Sequence, residues 1–202
     1  TTCFNMLNGQ LKPDAGAVVL AGRSITGLPP RVVARSGVGR TFQITATYGS
    51  MTVRENVQTA LIAGHHGEWN LIGKATARHA AEADALLDLV GMRDQAGRAC
   101  GVLAYGDLKR VELAVALANE PRLLLMDEPT AGMAPRERIA LMDLASEIAK
   151  SRSIAVLFTE HDMDVVFQHA DRVIVLDRGR LIAEGTAPEV RANPQVQAVY
   201  LG

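Results

Sequence analysis

The chain has 202 residues, 48% hydrophobic side chains, and 21 basic against 22 acidic residues for a formal net charge of -1. That length and apolar content suit one buried core with an inserted lobe better than two equal domains. The near-neutral balance excludes a global field built for nucleic acid or an anionic membrane surface, so any phosphate binding must be local.

The longest apolar runs fall far short of the roughly 20 residues that span a bilayer, and the N-terminus carries no signal-peptide pattern. Cys3 and Cys100 follow no metal-ligand spacing and suit a reducing compartment better than a disulfide framework. In chain order, Phe4, Leu7 and Leu11 recur at helical spacing before a turn at Lys12-Pro13-Asp14-Ala15-Gly16. Residues 17–21 read as a strand, 30–35 as a short helix opened by proline, and 38–43 as another strand. From Thr52 the pattern turns helical: Thr52 and Glu55 form a capping box, 75–90 is rich in Ala and Leu, and 107–118 is again helical.

Residues 123–126 return as an all-apolar strand, 137–150 as an amphipathic helix and 154–158 as a second buried strand. This is the β-α-β rhythm of a parallel sheet covered on both faces, and the fold class is therefore α/β with a helical lobe over 52–118. Residues 173–176 and 180–183 flank Asp177-Arg178-Gly179 as a hairpin, and short helices start near Pro188 and Pro194. The stretch 64–73, with the single Trp, reads as a loop; its adjacent His65 and His66 lack chelating geometry for a metal.

The strongest local signal is Leu-Leu-Leu-Met-Asp-Glu-Pro at 123–129. An apolar strand ending in Asp127 and Glu128 places two carboxylates at the C-terminal edge of a parallel sheet, where open α/β folds bind ligands. One acid can hold Mg²⁺ while its neighbour orients or deprotonates an attacking water. Leu103, Ala104, Tyr105, Gly106 and Asp107 read as a turn before a helix, whose free N–H groups and dipole suit an anion. Gln43 and His161 each follow a strand and are expected at the same edge as the carboxylates. Each of these features alone also fits ordinary strand ends, loops and helix caps.

Their order is more specific. Gln43, a helical lobe, Leu103 to Asp107, Asp127-Glu128 and His161 together resemble the ATP-binding subunit of ABC transporters. The resemblance implies a P-loop NTPase-like core: 1–51 and 119–202 as ATP-binding core, and 52–118 as a helical signature lobe. It makes Gln43 the Q-loop residue, Leu103 to Asp107 the signature, Asp127 the Walker B aspartate, Glu128 the catalytic glutamate, 131–135 the D-loop and His161 the H-loop histidine. Thr1 falls on the Ser/Thr that closes the phosphate-loop motif and shares Mg²⁺ with Asp127 and Gln43, and Thr2 on the next phosphate-contacting position. No Gly-x-x-x-x-Gly-Lys-Ser/Thr run occurs in the sequence, since Gly73-Lys74 is followed by Ala75. The resemblance thus implies an N-terminally truncated cassette, beginning one residue after the phosphate-loop lysine and not expected to hydrolyse ATP alone.

Within the family, Gly39 to Gln43, the Leu-Ala-Tyr-Gly signature, Glu160 to Phe167 and the C-terminal run from Asn193 resemble the high-affinity branched-chain amino acid importers. Cassettes for urea, amides or lipopolysaccharide share several of these features, and a degenerate module without turnover is a further alternative. Two positions depart from the usual family pattern: Ala104 stands where the signature has Ser, and Ala134 where the D-loop has Asp or Asn. The implied cofactors are ATP and Mg²⁺. The implied partners are a second ATP-binding subunit, transmembrane permease subunits and, through them, a solute-binding protein, with no nucleic acid. The implied location is cytoplasmic, peripheral on the inner face of the membrane.

Overall fold

The computed structural model describes residues 1–41, 47–64 and 79–201. The chain opens with α1 (Thr2–Leu7), the two-residue strands β1 (Val19–Leu20) and β2 (Arg23–Ser24), α2 (Pro30–Arg35) and β3 (Val38–Thr41). A helical block follows, α3 (Val53–Gly64), α4 (Ala80–Leu89) and α5 (Tyr105–Leu117). Then come β4 (Leu123–Asp127), α6 (Pro135–Arg152), β5 (Ala155–Thr159) and α7 (Met163–His169). The hairpin β6 (Val173–Asp177) and β7 (Arg180–Gly185) precedes α8 (Ala187–Ala192) and α9 (Pro194–Val196).

The central sheet is parallel, in the order β3-β4-β5, with Leu125 opposite Arg40 on one side and Leu157 on the other. Side chains alternate between its faces. Leu124 and Met126 enter a core with Val57, Leu87, Leu113 and Ile148, which joins the helical block and α6 to one face. Leu125 points the other way, onto Phe4 of α1, Val33 of α2 and Val38. Burying a leucine fully contributes about 1.5–3 kcal/mol, so both faces of β4 help hold its C-terminal end in place. A smaller core of Val166, Val173, Val190 and Val196 gathers the C-terminal elements.

The capping box at the start of α3 forms as expected, with Glu55 Oε2 accepting from the Thr52 amide at 2.8 Å and its hydroxyl at 2.9 Å. The β6-β7 hairpin turns through Arg178 and Gly179, both at positive φ (46° and 78°), as a two-residue primed turn requires. Some expectations need correction. The strand read at 17–21 is only Val19–Leu20, because Ala21 and Gly22 take positive φ (48° and 78°) and turn the chain into β2. The opening helix stops at Leu7: Gly9 has φ 78°, and a Cβ there would collide with the Leu28 carbonyl, so Leu11 lies beyond the helix and is exposed. Parts of the strand expected at 38–43, the loop at 64–73 with its histidines, and the helix at 75–90 lie outside the described residues. Both cysteines are free thiols. Among the described residues no helix is long and apolar enough to cross a membrane.

Candidate active site

Asp127 ends β4 directly opposite Thr159, the last residue of β5, so two strand ends deliver their polar residues to one point. The Thr159 hydroxyl donates to Asp127 Oδ1 at 2.9 Å, and Arg40 Nη2 donates to Oδ2 at 3.2 Å. Burial by itself raises the Asp127 carboxyl, whereas the hydroxyls of Thr159 and Thr1 and the Arg40 guanidinium lower it, and the carboxyl is held below the usual carboxylate range. Asp127 is therefore a buried, ionised acid.

Glu128 follows in the left-handed region (φ 48°), a backbone state that a non-glycine residue keeps only when its surroundings enforce it. Here the Glu128 amide donates to the Thr159 carbonyl at 3.0 Å and to its hydroxyl at 3.2 Å. One threonine thus orients both acids. The turn sends the Glu128 carboxylate towards the loop after β5, where Oε1 lies 2.8 Å from His161 Nε2. The same loops are tied again by Thr130, whose amide (2.9 Å) and hydroxyl (2.6 Å) both donate to Glu160 Oε1. A further tie joins Arg138 Nη1 to Asp162 Oδ2 at 2.8 Å.

The structure therefore gathers Thr1, Asp127, Glu128 and His161 at the C-terminal edge of the sheet. Thr2 sits in the first turn of α1, exposed. Gln43 lies outside the described residues. The signature segment differs from the expected pre-helix turn: α5 already starts at Tyr105, so only Leu103 and Ala104 precede it, and Tyr105, Gly106 and Asp107 form its first turn. Ala104 is the N-cap, with no side-chain capping bond. That turn lies beside the segment after Glu128: a Cβ on Gly106 would stand 3.6 Å from the Glu137 carboxyl, and one on Gly132 3.7 Å from the Tyr105 ring. Asp107 accepts from Gln95 Nε2 at 3.2 Å.

Sequence reasoning missed Arg40, Thr159, Thr130 and Glu160. The available signals were an arginine inside an otherwise uncharged strand and, for Thr159, a threonine at the end of an apolar run; Thr130 and Glu160 carried none.

Among the described residues no group of three or more His, Cys, Asp or Glu could cage a metal. What the site offers is one ionised carboxylate beside a threonine hydroxyl. That hard-oxygen set fits Mg²⁺, which keeps waters and substrate phosphates among its ligands instead of demanding an all-protein cage.

A doubly covered parallel sheet with paired acids at its C-terminal edge defines an α/β protein of the P-loop NTPase-like class. The ABC transporter family model matches residues 1–131, and that of the branched-chain amino acid ATP-binding cassette transporter matches 180–202. The high-affinity branched-chain amino acid transport ATP-binding protein LivG of Salmonella typhimurium is 38% identical over all of this chain and 82% of its own length. BraF, the protein so described in Pseudomonas aeruginosa, is 37% identical over the same shares. The methionine import ATP-binding protein MetN of Haemophilus influenzae is 36% identical over 96% of the chain and 54% of its own length. Among solved structures, the ADP conformation of an ATP-binding cassette of an ABC transporter superposes with TM-score 0.87 at 31% identity, covering all of this chain and 82% of that one. The chain belongs to the ABC transporter family, as an ATP-binding cassette of the kind whose ATPase activity is coupled to transport.

Proposed function

We propose that this chain is the ATP-hydrolysing subunit of an importer for branched-chain amino acids, peripheral on the cytoplasmic face of the membrane. The observation that carries the catalytic part is the junction of Asp127, Glu128 and His161 across the ends of β4 and β5. The solute class rests on the relatives' names and on the match of the C-terminal residues 180–202.

In this reading Thr1, Gln43 and Asp127 hold Mg²⁺, and Gln43 also reports nucleotide to the helical lobe over 52–118. The ion supplies charge neutralisation at the transferred phosphoryl group. Glu128 accepts the proton of the attacking water, and His161 Nε2, released from Glu128, donates a hydrogen bond to the γ-phosphate. Thr1 and Thr2 present helix N-terminal groups to the phosphates. Leu103, Ala104, Tyr105, Gly106 and Asp107 face the nucleotide of a second cassette, which brings two such subunits together with their permease.

The test uses the full-length subunit assembled with its permease. Glu128→Gln keeps ATP binding and lowers hydrolysis by about 10²–10⁴-fold, the usual contribution of a general base. ATP-driven uptake of labelled leucine, set against urea and methionine, decides the solute. Undiminished hydrolysis in the variant would remove Glu128 from its role.

A further inference from the structure

Arg40 interrupts β3 with a charge on the face that should be apolar. It pairs in register with Leu125, so both side chains lie on the α1 side of the sheet, as does Asp127 two residues beyond Leu125. The Arg40 side chain is 8% exposed and that of Asp127 2%. Its guanidinium reaches three separate pieces of chain. Nη1 donates to Asn5 Oδ1 in α1 at 2.7 Å and to Gln10 Oε1 at 3.1 Å, while Nη2 donates to Asp127 Oδ2 at 3.2 Å. Asn5 lies one turn after Thr1, and its amide donates to the Thr1 carbonyl at 2.9 Å.

We propose that Arg40 is a positioning residue that clamps Thr1 and Asp127, two protein groups of the metal site, into one fixed spacing. It grips Asp127 directly and Thr1 through the first turn of α1. The planar guanidinium suits this because its donors point in fixed directions, whereas a lysine offers one point charge. Removing it frees the α1 end to shift against β4 and takes from a buried carboxylate the guanidinium that orients it. Groups that orient a metal-binding carboxylate from behind typically carry about 10–100-fold in metal affinity. The inference rests on the reading of Thr1 and Asp127 as groups of the Mg²⁺ site.

The test uses full-length subunit carrying Glu128→Gln to stop turnover, with Mn²⁺ as a paramagnetic probe titrated in the presence of ATP. Arg40→Gln raises the Mn²⁺ half-saturation by about 10–100-fold while ATP binding in EDTA is unchanged, and Arg40→Lys falls between. Asn5→Ala, which leaves the Arg40–Asp127 pair intact, shifts Mn²⁺ binding in the same direction by less, and decides the matter if Arg40→Gln does not fold. Mn²⁺ binding unaltered in folded Arg40→Gln or Asn5→Ala protein overturns the clamp. So does an equal loss of ATP binding with and without metal, which marks a purely structural role. If the parent with Arg40 intact binds no Mn²⁺ with ATP, it is the metal-site reading itself that falls.

Discussion

Thr159 and His161 stand two positions apart and carry opposite kinds of load. Thr159 donates to Asp127, accepts from Glu128 and pairs in the sheet, whereas the His161 side chain is 81% exposed and holds only the tip of Glu128. Thr159→Val therefore costs stability, about 1.5–3 kcal/mol for the lost hydrogen bond to a charged carboxylate, read from urea midpoints. His161→Ala stays within about 0.5 kcal/mol of the parent, as exposed substitutions do. Its hydrolysis in the assembled transporter falls about 10²–10³-fold, the usual cost of one lost transition-state donor. A destabilised His161→Ala protein would mean that the histidine is structural after all. Asp127 and Glu128 were legible in the sequence because two adjacent acids directly after four apolar residues mark the polar end of a buried strand. Arg40 was not, because Asn5, Gln10 and Asp127 lie far from it in sequence and only the assembled sheet brings them together.

At the scale of elements, local chemistry accounts for which boundaries could be read. Pro30 opens α2 and Gly37, at φ 99°, follows its end, so both limits were legible in the sequence. By contrast α7 has seven residues, too few for an apolar period to stand out, and its signal was the N-cap: Asp162 accepts from the amides of Asp164 and Val165 at 3.1 and 3.4 Å. The early start of α5 gave no signal because its N-cap, Ala104, has no side chain that could act as one. The start of α6 has the same deficiency. Ala134 has the extended backbone of an N-cap (φ -66°, ψ 150°), yet only the Glu137 half of a capping box exists, reaching the Ala134 amide at 3.4 Å. Ala134→Ser supplies the missing acceptor for the amide of the first turn and stabilises the protein by about 1 kcal/mol. Unfolding midpoints in urea measure this, and no gain would show that the loop before α6 cannot hold the capping geometry.

Across the whole molecule, acidic groups have been recruited to tie loops and helix starts, and this sets how the fold responds to acid. Glu55 is held below the usual carboxylate range by the Thr52 amide and hydroxyl, and Glu189 by those of Thr186. Asp162 is lowered foremost by the Val165 amide; burial opposes this, and Arg138 and the Asp164 amide lower it further. Asp127 joins them through Thr159, Thr1 and Arg40 despite its burial. A carboxylate whose folded pKa lies below its unfolded value of about 3.9–4.3 binds protons more readily once the chain unfolds. Its stabilisation is therefore complete above about pH 5, and is lost as pH falls through the unfolded and then the folded pKa. Asp162→Asn isolates one share of that slope, because asparagine caps a helix as well as aspartate does but cannot titrate. Urea unfolding followed from neutral pH downward should show the variant with a shallower acid limb, its difference from the parent greatest above about pH 5 and vanishing as Asp162 of the folded parent protonates. Parallel limbs would mean that the hydrogen bonds of Asp162 hold the cap equally well without its charge.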